Sequence, residues 1–178
     1  MAVTADRAPA PVWRPRKRLW GLFAAFVAGS VVLGAMSEWR DDHALLINTT
    51  ESLPNWAFII HRNKLPTRGD YVFFDPPASE LLRAHFGPKP QMFGKIVYGV
   101  PGDVVAHWHS AVTVNGRVVA YTKTKTKSGE PLAIGPSGVI PAGCYYVGTP
   151  HKDGFDSRYA AIGLACQRQI VGTGTAIL

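Results

Sequence analysis

The chain has 178 residues, 47% of them hydrophobic, and a formal net charge of +7. That length supports one domain with its own core and excludes two large ones. Two cysteines in the whole chain exclude a disulfide-rich scaffold and a cysteine zinc cluster.

The charge is unevenly spread. Residues 1–18 hold five basic residues and one acidic, which leaves only +3 for the remainder. Next comes Leu19 to Met36, "LWGLFAAFVAGSVVLGAM", 18 positions without a charge or a proline. As a helix it is about 27 Å long, near the roughly 30 Å hydrocarbon thickness of a bilayer. A basic flank ahead of a first apolar helix predicts a cytoplasmic tail over 1–18, a membrane segment over 19–37 and an exported domain over 38–178. Two readings fit the segment. A cleaved signal peptide would use the small residues around Val32 and Gly34, whereas the length of the apolar run favours an uncleaved anchor. Either way the basic excess is a topology signal, and no nucleic-acid partner is expected.

The exported part reads as strands and turns. Apolar runs with β-branched and aromatic residues predict strands over Ala44–Thr50, Trp56–Arg62, Tyr71–Asp75, Phe93–Val100 and Asp103–His109. Ala78–Phe86 is the one exported helix, ended by Gly87 and Pro88. Asn115-Gly116 between two alternating runs predicts a hairpin. "GCYYVGT" and "QIVGTGTAIL" supply the closing strands. The predicted fold is mainly β, with one short helix, behind a single N-terminal transmembrane helix.

Several residues invite chemistry. Ser52, in "NTTESLPNWAFII", is either a turn residue before a proline or a nucleophile at the mouth of a strand. Lys95 stands in the apolar run "MFGKIVYGV", with Phe93 and Val97 on its face of a strand. Burial there would lower its pKa and make the amine a candidate general base. The GxSxG elbow is absent and no histidine stands out as a partner for Ser52, so serine chemistry in this chain points to lysine. "TKTKTK", Thr122 to Lys127, reads as a solvated edge strand with its lysines on one face. His107 and His109 share a strand face but lack a companion ligand, so no metal or cofactor is expected. Arg68-Gly69-Asp70 reads as a turn. Cys144 and Cys166, both in the exported part, are expected to form one disulfide rather than remain free thiols.

The order of segments carries more. "ESLPNW", "RGDYVFFDPP", "GKIVYGVPGDVV" and "GFDSRYAAIG" resemble, in order and spacing, the four boxes of the type I signal peptidases, which are serine–lysine proteases. The likeness runs from about Thr49 to Gly163. It implies Ser52 as nucleophile and Lys95 as general base. It also implies the Thr50 hydroxyl and the Ser52 N–H as oxyanion donors, and Asp156 with Arg158 as a structural ion pair near the site. Gly102 and Asp103 fall on the turn after the lysine strand. The chain departs from the housekeeping pattern in its Ser-Leu-Pro spacing and in "GTPHKDG" where Gly-Asp-Asn normally begins the box. Gly154 replaces a serine that helps orient the lysine in the family.

With those departures "NTTESLP" resembles the conjugative-transfer, TraF-type branch, whose members process pilin subunits. The implied protein is a bacterial inner-membrane peptidase with a periplasmic catalytic domain. Its partners would be a pilin precursor or other exported precursor, inner-membrane lipid and the conjugation (type IV secretion) machinery. Hydrolysis and cyclisation of the product are both open. The alternatives are a general leader peptidase and, from another class, an inactive membrane-anchored assembly module of a secretion channel.

Overall fold

The computed structural model describes residues 17–48, 52–62 and 64–177. The chain divides into two units, Met1–Asp41 and Asp42–Leu178. All but the last residue of α1 (Lys17–Asp42) lies in the first, and the helix continues five residues past the expected end of the membrane segment because no proline or glycine stands between Gly34 and Asp42 to stop it. None of its residues is buried, and Leu19, Trp20, Phe23, Phe26 and Leu33 are all exposed. A helix apolar on every side needs an apolar solvent, and α1 is long and apolar enough to cross a membrane. Its Ser30 hydroxyl donates back to the Phe26 carbonyl at 2.9 Å, so that side chain is satisfied within the helix.

The second unit is built on two antiparallel sheets. One has seven strands, β1 (His43–Ile47), β2 (Ala57–His61), β3 (Tyr71–Phe74), β4 (Phe93–Gly99), β9 (Cys144–Gly148), β10 (Ala165–Cys166) and β11 (Ile170–Ala176). Their order is β1-β2-β11-β3-β4-β9-β10, so the last strand of the chain is inserted in the middle. The other sheet has β5 (Val104–Trp108), β6 (Ala111–Val114), β7 (Arg117–Tyr121) and β8 (Gly138–Val139), in the order β7-β6-β5-β8.

Alternation along the strands divides the core. Val72, Phe74, Val97 and Val147 pack with Leu82, Tyr145 and Ile162 in one cluster. Phe73 turns the other way, to Leu53, Phe58 and Ile60. A third cluster, around Val105, Val112, Ile140 and Tyr146, belongs to the smaller sheet. The exported helix, α2 (Glu80–Phe86), starts two residues later than its composition suggests. Ser79 caps it, its hydroxyl accepting from the Leu82 N–H at 3.1 Å. Asn115 (φ 49°) and Gly116 (φ 78°) both adopt the left-handed conformation of a tight hairpin between β6 and β7.

Two expectations fail. "TKTKTK" is not an edge strand: β7 ends at Tyr121, and among these lysines Lys123 and Lys127 both turn to Asp153 instead of lining one strand face. His107 and His109 do not share a strand face either. β5 ends at Trp108, and His109 sits in the turn that follows with φ 52°. The two-residue strands β8 and β10 were not foreseen, since a pair of residues carries no period.

Cys166 on β10 is the register partner of Cys144 on β9, and the two are joined by a disulfide. The bond closes a loop of sequence separation 22, for which chain entropy gives about 3 kcal/mol of stabilisation. Replacing both cysteines with serine should lower the melting temperature by that equivalent. Intact mass before and after reduction and alkylation checks the bond, and identical melting with and without reductant would contradict its contribution.

Candidate active site

Lys95 lies in the middle of β4, with Val72 opposite it on β3. The burial pattern of the strand alternates from Lys95 onward, putting Lys95 and Val97 on the inward face. Only 5% of Lys95 is exposed. Its Nζ stands 5.5 Å from the centroid of the Phe93 ring, which is itself packed edge-on against Phe86 and Phe74. Loss of hydration on burial pushes the amine below its ordinary range; Asp156 pulls it back up, and Arg158 adds to the fall.

Asp156 and Arg158 form a buried, two-pronged pair, Nε to Oδ1 at 2.8 Å and Nη2 to Oδ2 at 2.9 Å. Two further donors reach the same carboxylate, the N–H groups of Thr149 at 3.1 Å and Arg158 at 3.2 Å. Burial pushes the Asp156 carboxyl up against the pull of Arg158, while for Arg158 burial pulls the guanidinium down but the hydrogen bonds and charge of Asp156 together outweigh it and push it up. The two directions pull apart on whether the pair is charged, and the ionised state is the one supported by four donors converging on one carboxylate. Arg158 Nη2 also donates to the Thr149 carbonyl at 2.8 Å.

Ser52 enters from a different part of the chain. The next residue, Leu53, is buried among Phe58, Ile60 and Phe73. Its Cδ1 would lie 3.1 Å from a Cβ at Gly94, and Phe73 Cε1 at 2.7 Å, so only glycine beside Lys95 admits both side chains. Asn48 holds the following turn by donating to the carbonyls of Leu53 and Asn55, at 3.3 and 3.0 Å. The Thr149 hydroxyl donates to the carbonyl of Ser52. β4 pairs with β9 through Ile96↔Gly148 and Val97↔Val147, and Thr149 follows directly on Gly148, the last residue of β9. The main chain of Ser52 is therefore tied to the level of Lys95 by both Leu53 and Thr149.

The structure thus brings Lys95, Asp156 and Arg158 into one electrostatic group and fastens Ser52 beside it. Thr50 lies outside the described residues. Gly102 (φ 89°) and Asp103 form a separate knot at the turn after β4. There Asp103 accepts from the Val100 N–H at 2.7 Å, the Asn115 amide at 2.7 Å and Arg68 at 2.5 Å. Burial pushes its carboxyl up, but those donors outweigh it and hold the group below the usual carboxylate range. Among the described residues no group of acidic, histidine or cysteine side chains is arranged to hold a metal ion.

Thr149 and Arg68 were not singled out by the sequence. Arg68 was visible only as part of a turn, and Thr149 only as the second letter of a departing box. Beside Thr149 opens a cavity of about 420 Å³, bounded by Val118, Ala120, Tyr121, Thr149, Pro150 and Arg158.

The state of Lys95 has a consequence for stability. Its folded pKa lies below the ordinary value near 10.4, so across that window the unfolded chain binds more protons and stability rises with pH. Lys95→Met removes the buried amine at nearly constant volume. At neutral pH the variant should melt higher than wild type. The gap should close as pH approaches about 10. Calorimetry of both forms across pH checks the sign, and a variant that melts lower than wild type at neutral pH contradicts it.

Comparison with known proteins gives one family. Residues 18–178 match the family described as signal peptidase, peptidase S26. No curated protein matches the sequence. Among solved structures, the chain is similar to a crystal structure of a signal peptidase I from Enterococcus faecalis V583, at 23% identity over 63% of this chain and 98% of that one, with a TM-score of 0.41. Because the family match spans nearly the whole chain, α1 and both sheets included, the protein belongs to the S26 signal peptidase family, a family of membrane-anchored serine peptidases.

Proposed function

We propose that the chain is a serine endopeptidase of the inner membrane, with its catalytic domain in the periplasm, a Ser52–Lys95 dyad, and an exported precursor as substrate. The observation that carries this reading is the buried Lys95, its pKa lowered by burial, on a strand paired with β9, just past whose end the Thr149 hydroxyl donates to the Ser52 carbonyl. A scaffold has no use for a desolvated amine there, since Met would fill the place without the electrostatic cost. The substrate class is narrowed by resemblance to the conjugative-transfer branch, carried by "NTTESLP" and the altered "GTPHKDG" box, which points to a pilin subunit.

In the proposed reaction the neutral Lys95 amine takes the Ser52 hydroxyl proton as Oγ attacks the scissile carbonyl carbon. The oxyanion forms against the Ser52 N–H and the Thr50 hydroxyl, donors of a kind commonly worth ~3 kcal/mol each. The C–N bond then breaks, and the Lys95 ammonium returns its proton to the leaving amine. An acyl-enzyme ester remains on Ser52. Water, or the amine terminus of the product itself, attacks that ester and gives its proton to Lys95. The ester C–O bond breaks and the proton passes back to Ser52. Water yields a linear product and the amine a ring.

Intact mass of a conjugative pilin precursor, co-expressed with wild type or Ser52→Ala, tests the reading. A linear fragment lost in the variant means a peptidase, and a product one water lighter means ring closure. A precursor unchanged by wild type would contradict the pilin assignment.

Ser52→Ala and Lys95→Ala should each lower turnover to background, by at least about 10³-fold, with the fold retained by circular dichroism. The rate of acylation by a penem β-lactam should rise with pH until Lys95 is neutral and then level off, because the proton must leave before the amine can act as base. A flat profile through neutral and mildly alkaline pH sinks the lysine-base mechanism.

A further inference from the structure

We propose that Thr149 is a positioning residue for the reaction, its side-chain hydroxyl clamping the main chain of Ser52 so that the serine is held at the Lys95 strand. This deepens, and rests on, the Ser52–Lys95 reading above.

Four contacts fix Thr149 itself, which is only 1% exposed. Its N–H donates to Asp156 Oδ2 at 3.1 Å, and its carbonyl accepts from Arg158 Nη2 at 2.8 Å. Its Oγ1 accepts from the His151 N–H at 3.3 Å. Its Cγ2 lies 2.1 Å from where a Cβ at position 154 would be, so it occupies the space left by the missing side chain of Gly154. With the methyl in that slot and the oxygen already an acceptor, a β-branched side chain has one rotamer left and one proton to give. That proton goes to the carbonyl of Ser52.

The carbonyl clamp orients the peptide plane between Ser52 and Leu53, and the buried Leu53 side chain fixes the far end of the same plane. Together they fix the main chain that carries the nucleophile. A hydroxyl buried merely for stability would be served by any nearby carbonyl. This one has as its partner the residue that attacks, 97 positions away in sequence.

The test compares side chains with and without the hydroxyl in the detergent-solubilised full chain: wild type against the isosteric Thr149→Val, and Thr149→Ser against Thr149→Ala. Penem acylation of Ser52, followed by intact mass, gives the saturating rate and the half-saturating concentration across pH, with melting temperature read in parallel. In each pair the hydroxyl-free form should acylate on the order of 10 to 100-fold more slowly at saturation. The half-saturating concentration should change little, and the pH midpoint set by Lys95 should stay in place.

The Ser/Ala pair decides if Thr149→Val fails to fold. Equal saturating rates within a pair overturn the proposal. So does a shifted midpoint with an unchanged plateau, which would assign Thr149 to the lysine's environment instead. Absence of labelling in wild type, or labelling that survives Ser52→Ala, overturns the nucleophile assignment itself and takes this inference with it.

Discussion

Burying the amine of Lys95 is the constraint around which the larger sheet is arranged. A lysine at 5% exposure loses the hydration that stabilises its charge, and what surrounds it decides whether the charge survives. A lone carboxylate at Asp156 would restore it. Asp156 is instead engaged by Arg158 through two short hydrogen bonds, so Lys95 meets a nearly neutral pair and burial prevails. The ion pair therefore does more than brace a loop: it keeps a carboxylate close to the lysine while sparing it most of that carboxylate's field.

The loop that performs this is short and closed at its base. Ser157 donates its N–H to the Val147 carbonyl and accepts from the Val147 N–H, both at 3.0 Å, which fastens residues 149–156 to the end of β9. Within it Thr149 faces Ser52, while Asp156 and Arg158, at its return, act on Lys95. Since β9 is paired to β4, the loop is anchored on the strand next to the lysine strand. Ser52 alone arrives from elsewhere, which is why its attachment needs both a buried Leu53 and a hydrogen bond from Thr149. β11 adds a further dependence. By lying between β2 and β3 it joins the strands that follow Ser52 to those that carry Lys95, so the larger sheet is complete only once residues 170–176 are in place.

Much of this was legible in the sequence, for local reasons. Short apolar runs rich in β-branched and aromatic residues marked β2 to β5, alternation marked β6 and β7, and Asn115-Gly116 marked the hairpin between them because both residues tolerate positive φ. Lys95 was conspicuous since a charge in an apolar strand has few explanations. What the sequence concealed depends on partners far along the chain. Lys123 and Lys127 alternate with threonine as an edge strand would, yet both are drawn off to Asp153, which no local pattern reveals. Arg68 looked like a turn residue until the fold set it against Asp103. Thr149 was unreadable for the same reason, its partner being a main-chain carbonyl that has no side-chain signature.

The departure at Gly154 is coupled to Thr149 by packing. Any side chain at 154 would begin 2.1 Å from the Thr149 methyl, with Asp156 Oδ2 and Arg158 Nη2 at 2.9 and 3.0 Å, so a serine cannot be added while Thr149 keeps its place. A site decaying into a scaffold would lose one side chain and leave a void or a stranded polar atom. Here the space beside Gly154 is filled from across the loop, and the residue that fills it brings a hydroxyl to the main chain of Ser52. On the proposed Ser52–Lys95 reading, the box is a packing solution of its own around the buried lysine, with the Thr149 methyl in the space beside Gly154 and its hydroxyl on the Ser52 carbonyl.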